Sequence, residues 1–224
     1  MTEDRNRYQI IRIDAKNCFV ESLSDAFDIG KAHLTFCSYD RQRPSGQRMT
    51  DSIQIYIDMS DWLDLCRVLE SGELRWLMQQ KLKTGDREPI REWLGGTSAK
   101  KLARYGNPRK DGKSLSRTAQ LFASNRADSL LFVANSGPGE ENRTGLIVPK
   151  FGKNPENHVA VNLSLASMSQ LLLSTRLHYS AWLSAWYGRQ LHAQDKSNGR
   201  EVTDTPVTHF PSDFPVKQGA IAMF

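Results

Sequence analysis

One short pattern occurs twice in this chain, and the repetition limits what the chain can fold into. An alternating apolar strand runs into an amphipathic helix at Ser52-Ile53-Gln54-Ile55-Tyr56-Ile57-Asp58, followed by Met59 to Glu70. It does so again at His158-Val159-Ala160-Val161-Asn162-Leu163-Ser164, followed by Leu165 to Gln190. A shift of 106 positions lays Ile53, Ile55 and Ile57 on Val159, Val161 and Leu163, and brings Asp58, Trp62 and Cys66 onto Ser164, Met168 and Leu172. Strand residues two apart share a face, so each strand buries one set and offers the other. The offered sets are Ser52, Gln54 and Tyr56 in the first copy and His158, Ala160 and Asn162 in the second. Side chains of this size and hydrogen-bonding kind can read base edges when a two-stranded ribbon lies in a DNA major groove. The plainer alternative is a half-buried strand with one wet face.

Charge is distributed unevenly. Between Arg75 and Arg126 stand thirteen Lys and Arg against four acids, a net charge of +9 where the whole chain carries +5. A basic band on a weakly acidic remainder points to a polyanionic partner, because neutralising phosphates releases condensed counterions. The candidate phosphate contacts are Lys100, Lys101, Arg104, Arg109, Lys110, Lys113 and Arg117. The 224 residues, 39% of them hydrophobic, suffice for a real core. The charged start, Met1 to Arg7, and the lack of an apolar run near the roughly 20 residues of a membrane helix lead to the expectation of a soluble protein without a cleaved signal. Cys18, Cys37 and Cys66 are odd in number and widely spaced, which fits buried thiols in a reducing cytoplasm rather than a disulfide framework or zinc cluster.

Along the chain, Arg7 to Ile13 and His33 to Tyr39 read as strands opening a sheet. Trp62, Leu65, Cys66 and Leu69 hold the spacing of one helical face. Ser71-Gly72 stops that helix, and a second runs from Glu73 to about Leu82. Gly95-Gly96-Thr97-Ser98 precedes a short basic helix, Ala99 to Tyr105, and Gly106 to Ser114 reads as loop. Leu115 to Phe122 and Ser129 to Asn135 read as a hairpin, with Ser136-Gly137-Pro138-Gly139 turning into Thr144 to Pro149. The long last helix, with Met168, Leu172, Thr175, Tyr179, Trp182 and Trp186 in one stripe, reads as a packing or dimerisation element. The expected organisation is one α+β DNA-binding domain over residues 1–194, with strand-helix units near 51–82 and 158–192, followed by a tail over 195–224 whose apolar end, Ile221 to Phe224, could dock.

Several chemistries are set aside. Gly112-Lys113-Ser114 ends a loop like a phosphate-binding loop, but Asn107 stands where that motif requires glycine, and the flanking strand and helix are missing. The five histidines show no metal-ligand spacing, and no nucleophile elbow or triad signature is present, so no cofactor, metal or enzymatic activity is expected. Glu140-Glu141 is read as solvating rather than catalytic.

The run Asp51 to Met78, then Gly95-Gly96-Thr97, Leu130 to Pro149 with Gly137-Pro138-Gly139 and Thr144-Gly145-Leu146-Ile147, and His158 to Leu173 resembles the AcaB-type transcriptional activators of conjugative plasmids and integrative conjugative elements. That resemblance covers about residues 50–180. It implies an α+β fold, an antiparallel sheet with ribbon-helix-helix-like strand-helix units, dimeric, that binds a duplex promoter site and switches on conjugative transfer genes. The resemblance assigns no base contact; for such a duplex binder the outward strand faces make Gln54 and Tyr56 the base readers, with His158 and Asn162 as alternates, and the basic band grips phosphates. The alternative is a single-stranded DNA-binding or relaxosome accessory protein in which Trp93, Tyr105, Phe122 and Phe132 stack bases above the basic band.

Overall fold

Residues Gln9 to Asp58 form an antiparallel meander of β1 (Gln9–Ala15), β2 (Cys18–Leu23), β3 (Lys31–Tyr39) and β4 (Met49–Asp58), in that spatial order, with apolar-polar alternation cleanest in β4. The computed structural model describes residues 7–124 and 128–197, with side chains as far as Gln190. Val20 stands opposite Phe36, and Leu34 opposite Ile55, so Val20, Leu34, Phe36, Ile53, Ile55 and Ile57 form one apolar face. A second antiparallel sheet follows, from β5 (Arg91–Thr97), β6 (Ser114–Ala123), β7 (Ser129–Glu141), β8 (Ile147–Pro149) and β9 (Asn157–Ser164). Strand β7 is long enough to pair β6 along one edge while the other edge takes β9 and then β8. The two apolar faces meet in one core, where Phe36 and Phe132 pack edge to face with centroids 4.8 Å apart.

The second sheet curls, and glycines let it. A Cβ at Gly96 would lie 2.3 Å from the Leu115 carbonyl oxygen and 2.9 Å from Ile147, and one at Gly139 would lie 2.7 Å from Ile147. Bare backbone at both points allows Ile147 of β8 to fold back over β5 and β6, where it is buried.

The α-helices of the described residues are α1 (Met59–Glu70), α2 (Glu73–Thr84), α3 (Ala99–Arg104) and α4 (Leu165–Ser197). Met59, Trp62, Leu65, Cys66 and Val68 of α1 are buried in the common core, with Met168, Leu171 and Leu172 of α4. Each such aliphatic side chain contributes about 1.5–3 kcal/mol. The Trp62 indole N–H donates to the Leu172 carbonyl at 3.3 Å, the Cys66 thiol donates to the same oxygen at 3.6 Å, and Arg176 donates two bonds of 2.7 Å to the Glu70 carboxylate. Cys66 and Leu172, like Glu70 and Arg176, are equivalent positions of the two repeats. Contacts between equivalents pack the helices of the two strand-helix copies against each other.

Two compact units divide after Leu183. The first contains both sheets, α1 to α3 and the start of α4. In the second, the described residues continue the helix, with Trp186 and Tyr187 edge to face at 4.9 Å. No helix among the described residues is long and apolar enough to cross a membrane.

The expected ribbon-helix-helix architecture is overturned. A ribbon-helix-helix subunit contributes a lone strand whose only ladder is with its counterpart in a second subunit, whereas β4 is the edge of a four-stranded sheet, laddered to β3, and β9 belongs to a five-stranded sheet, laddered to β7. Two large sheets, with nine strands among the described residues, replace the single ribbon. Asp58 and Ser164 precede the two helices at equivalent positions, but only one of them caps: Ser164 Oγ accepts from the Ser167 N–H at 3.0 Å, whereas the Asp58 carboxylate is taken by Lys31 across the β3–β4 ladder and makes no cap bond. The turn expected at Ser136 to Gly139 is uninterrupted strand, and the lead-in expected at Gly95-Gly96-Thr97 is the end of β5. The tail lies outside the described residues from 198 onward.

Candidate nucleic-acid interface

Strands β4 and β5 are the last strands of their respective sheets, and they stand on either side of a cleft of about 670 Å³. Gln54 and Tyr56 line one wall. Trp93, Leu94, Gly95, Gly96 and Thr97 line the other, Arg117 of β6 reaches in from behind β5, and Lys101 and Tyr105 bound the mouth.

Tyr56 is 45% exposed, but its ring is not loose. The His33 ring stacks on it at 4.3 Å and 18°, and His33 Nδ1 lies 2.7 Å from Asp25 Oδ1, so a buried imidazole backs the phenol. Burial raises the Tyr56 pKa; the charge of Asp25 adds to this and Arg117 opposes it. Trp93 leans on core residue Phe132 at 6.0 Å and is only half buried. Tyr105, just past the C-terminus of α3, is the most open ring of the cleft. Three aromatic surfaces therefore border one concavity, two of them braced by the core beneath.

The cations differ in what they are free to do. Lys100, Lys101 and Arg104 project from α3, which begins with Ser98 Oγ accepting the Lys101 N–H at 3.4 Å. None of the three forms an ion pair among the described residues. Lys31, also at the cleft, is neutralised by Asp58. Arg117 donates to Thr97 Oγ1 at 3.1 Å and meets no carboxylate among the described residues; burial lowers its pKa, and Tyr56 pulls the other way.

The expected contact residues thus separate. Gln54, Tyr56, Lys101 and Arg117 come together in the cleft, with Lys100 and Arg104 on the same short helix as Lys101. Ser52 lies further along β4, where its hydroxyl accepts from the Cys37 thiol at 3.6 Å. Arg109 is committed elsewhere, bonding both Asp111 and Glu156 at 2.7–3.0 Å and holding both carboxyls below their usual range. Lys110 borders that cluster. Lys113 sits in a separate depression with Glu140, Glu141 and Lys150. His158, bonded through Nδ1 to Asn135 at 2.7 Å, and Asn162 occupy the far face of the second sheet. Phe132 is fully buried and unavailable for stacking, and Phe122 lines another concavity, of about 740 Å³, with Leu131 and Asn162. That second concavity is larger, but its Lys81 is spent on Asp86, which leaves Arg87 as its cation, and it offers one half-buried ring.

Thr97, Leu94 and Gly95 belong to the site although nothing in the sequence pattern marks them as contacts. Among the described residues no group of three or more His, Cys, Asp or Glu is placed to hold a metal.

No protein-family model matches the chain, and no curated protein matches it. Among solved structures the chain is similar to WHY3 from Arabidopsis thaliana, at 7% identity and a TM-score of 0.40, over 81% of this chain and 95% of that one. A likeness at that level assigns no role.

Proposed function

We propose that the protein binds single-stranded nucleic acid in the β4–β5 cleft. The observation that carries this reading is the coincidence, in one concavity, of the rings of Tyr56, Trp93 and Tyr105 with the acid-free cations Lys101 and Arg117. Base stacking on aromatic faces contributes about 1–3 kcal/mol per base with little regard to sequence, and a groove of cations tracks the phosphates. Duplex DNA keeps its bases stacked on each other and cannot present them to rings set in a cleft.

The resemblance to activators of conjugative elements supports a second reading, a homodimer that regulates transfer genes from a duplex site. The Gly95-Gly96-Thr97 motif, one of those that carry the resemblance, forms a wall of the cleft. With β4 built into a four-stranded sheet rather than a lone ribbon, such a protein would contact duplex through the exposed cations of α3 rather than through β4 strands in the groove.

Fluorescence anisotropy against single-stranded and duplex DNA, over a salt series and after selection from random pools of each, separates the readings. Tighter binding of single strands with no strong consensus supports the first. A recovered palindromic duplex, with a dimer by sedimentation equilibrium, supports the second and refutes the first. Binding to neither means that the cleft serves a different ligand.

A further inference from the structure

Among the described residues the cation at the back of the cleft meets no counter-charge, and the residue facing it lacks a side chain. Alternation sets Arg117 in line with Leu115, Ala119 and Leu121, on the face of β6 that turns toward the core. No carboxylate among the described residues meets it, and its side chain bonds to Thr97 Oγ1. A guanidinium withdrawn from water and left unpaired is unfavourable in isolation. Gly95 is its direct partner across the β5–β6 ladder. The backbone there does not require glycine, since Gly95 has no positive φ, and a Cβ would meet only the Arg117 carbonyl oxygen, at 4.0 Å. Packing therefore leaves room over Gly95 that the fold does not use. Neighbouring Gly96 differs, because a Cβ there would strike Leu115 and Ile147.

We infer that Arg117, positioned by Thr97 and facing the recess over Gly95, is the seat of one phosphodiester anion of the bound strand. The inference rests on the single-strand reading above and adds the orientation of the strand: its backbone turns inward at this point, while bases meet Tyr56 and Trp93 to either side. The phosphate supplies the negative charge that the described residues do not place there. The guanidinium, held by Thr97, offers its remaining N–H groups in a fork suited to phosphate oxygens. A contact of this kind is indifferent to sequence and sensitive to salt.

The test uses the full chain and a mixed-sequence single-stranded oligonucleotide. Arg117→Gln keeps a partner for Thr97 and removes the charge. It is expected to weaken binding roughly tenfold or more, to flatten the slope of log affinity against log salt by about 0.7, and to leave the melting temperature of the free protein unchanged or raised. Gly95→Val fills the recess and is expected to weaken binding with far-UV circular dichroism and melting temperature intact. Strands with a single neutral methylphosphonate, scanned along their length, are expected to lose affinity for the wild type at one linkage and to lose none for Arg117→Gln. If the wild type binds but Arg117→Gln keeps its full salt slope, the anion seat is refuted and the cleft reading stands. A variant that melts well below the wild type while retaining the slope makes Arg117 a structural cation, which likewise refutes the anion seat and spares the cleft reading. If the wild type binds no single strand, both readings fall.

Discussion

The adjacent glycines of β5 give a sharp stability contrast. In Gly96→Ala the new methyl would sit 2.3 Å from the Leu115 carbonyl oxygen and 2.9 Å from two carbons of Ile147. The Leu115 oxygen belongs to the β5–β6 ladder and cannot retreat without opening it, and Ile147 is 4% exposed and cannot swing away without leaving the core. Overpacking a tight site costs about 1–3 kcal/mol, and partial loss of Ile147 burial adds to this, against about 1.5–3 kcal/mol for the whole side chain. An overall loss of about 3 kcal/mol is expected. In Gly95→Ala the methyl touches only one carbonyl oxygen, at van der Waals distance, so the change is expected to fall within about 0.5 kcal/mol, or to stabilise slightly by restricting the unfolded chain. Urea unfolding of both variants, followed by far-UV circular dichroism, measures the difference, and an unchanged m-value confirms that the same transition is compared. Equal stabilities for the two variants, or a loss below about 1 kcal/mol for Gly96→Ala, would refute the account of how the second sheet curls.

Three further outcomes are expected. Tyr56→Ala should weaken single-strand binding by about 1–3 kcal/mol, whereas Tyr56→Phe, which keeps the ring on His33, should lose much less; equal losses in an anisotropy titration would remove stacking as the cause. Arg109 holds the pKa values of Asp111 and Glu156 below those of the unfolded chain, so the stabilisation from this cluster is present above the ordinary carboxylate range and is lost as pH falls through the lowered values. Hydrogen exchange at the Lys113 amide, which donates to Asp111 Oδ1, should quicken over that acid window beyond the intrinsic rate, and a constant protection factor would contradict the assignment. The buried Cys18, Cys37 and Cys66 should resist a thiol reagent until the protein unfolds, Cys66 above all because burial raises its pKa to about 11; prompt labelling at neutral pH would show that the core opens readily.

Where the sequence is legible, it is so through period. Ile53, Ile55 and Ile57, and Val159, Val161 and Leu163, alternate cleanly because each strand has one buried and one wetter face, and both sets lie in the core. Strand β2 carries no such signal: all six residues from Cys18 to Leu23 are buried, so Glu21 and Ser22 interrupt the pattern without marking a solvent face. Glycine misleads in two places. Gly95-Gly96 and Gly137-Pro138-Gly139 have turn composition, yet they lie within strands, because Ile147 must approach Gly96 and Gly139, and Phe151 must approach Gly137. The cleft has no local signature, since its walls come from strands separated by two helices. Arg117 is the readable clue to its floor: a cation in register with Leu115, Ala119 and Leu121 on a strand that composition alone identifies. Its membership of the basic band hides this, because a count of charges does not distinguish a cation on a wet face from one on an apolar face.

The recurring strand-helix pattern supplies a wall of the cleft from its first copy and not from its second. Packing between the two copies uses equivalent residues, Cys66 against Leu172 and Glu70 against Arg176, so a change at either end of such a pair is felt by both copies. The outward strand faces carry no such constraint and share no residue, Ser52, Gln54 and Tyr56 against His158, Ala160 and Asn162. Chain order then decides which face can form a groove. After the first strand and helix, α2 returns the chain so that β5 begins a new sheet whose outermost strand flanks the outermost strand of the old one. After the second strand, the chain continues into α4 and no described strand follows to build an opposing wall; Asn135 of the same sheet engages His158. One half of the repeat thus supplies β4 as a wall of the cleft, while the other completes the core against which that wall is braced.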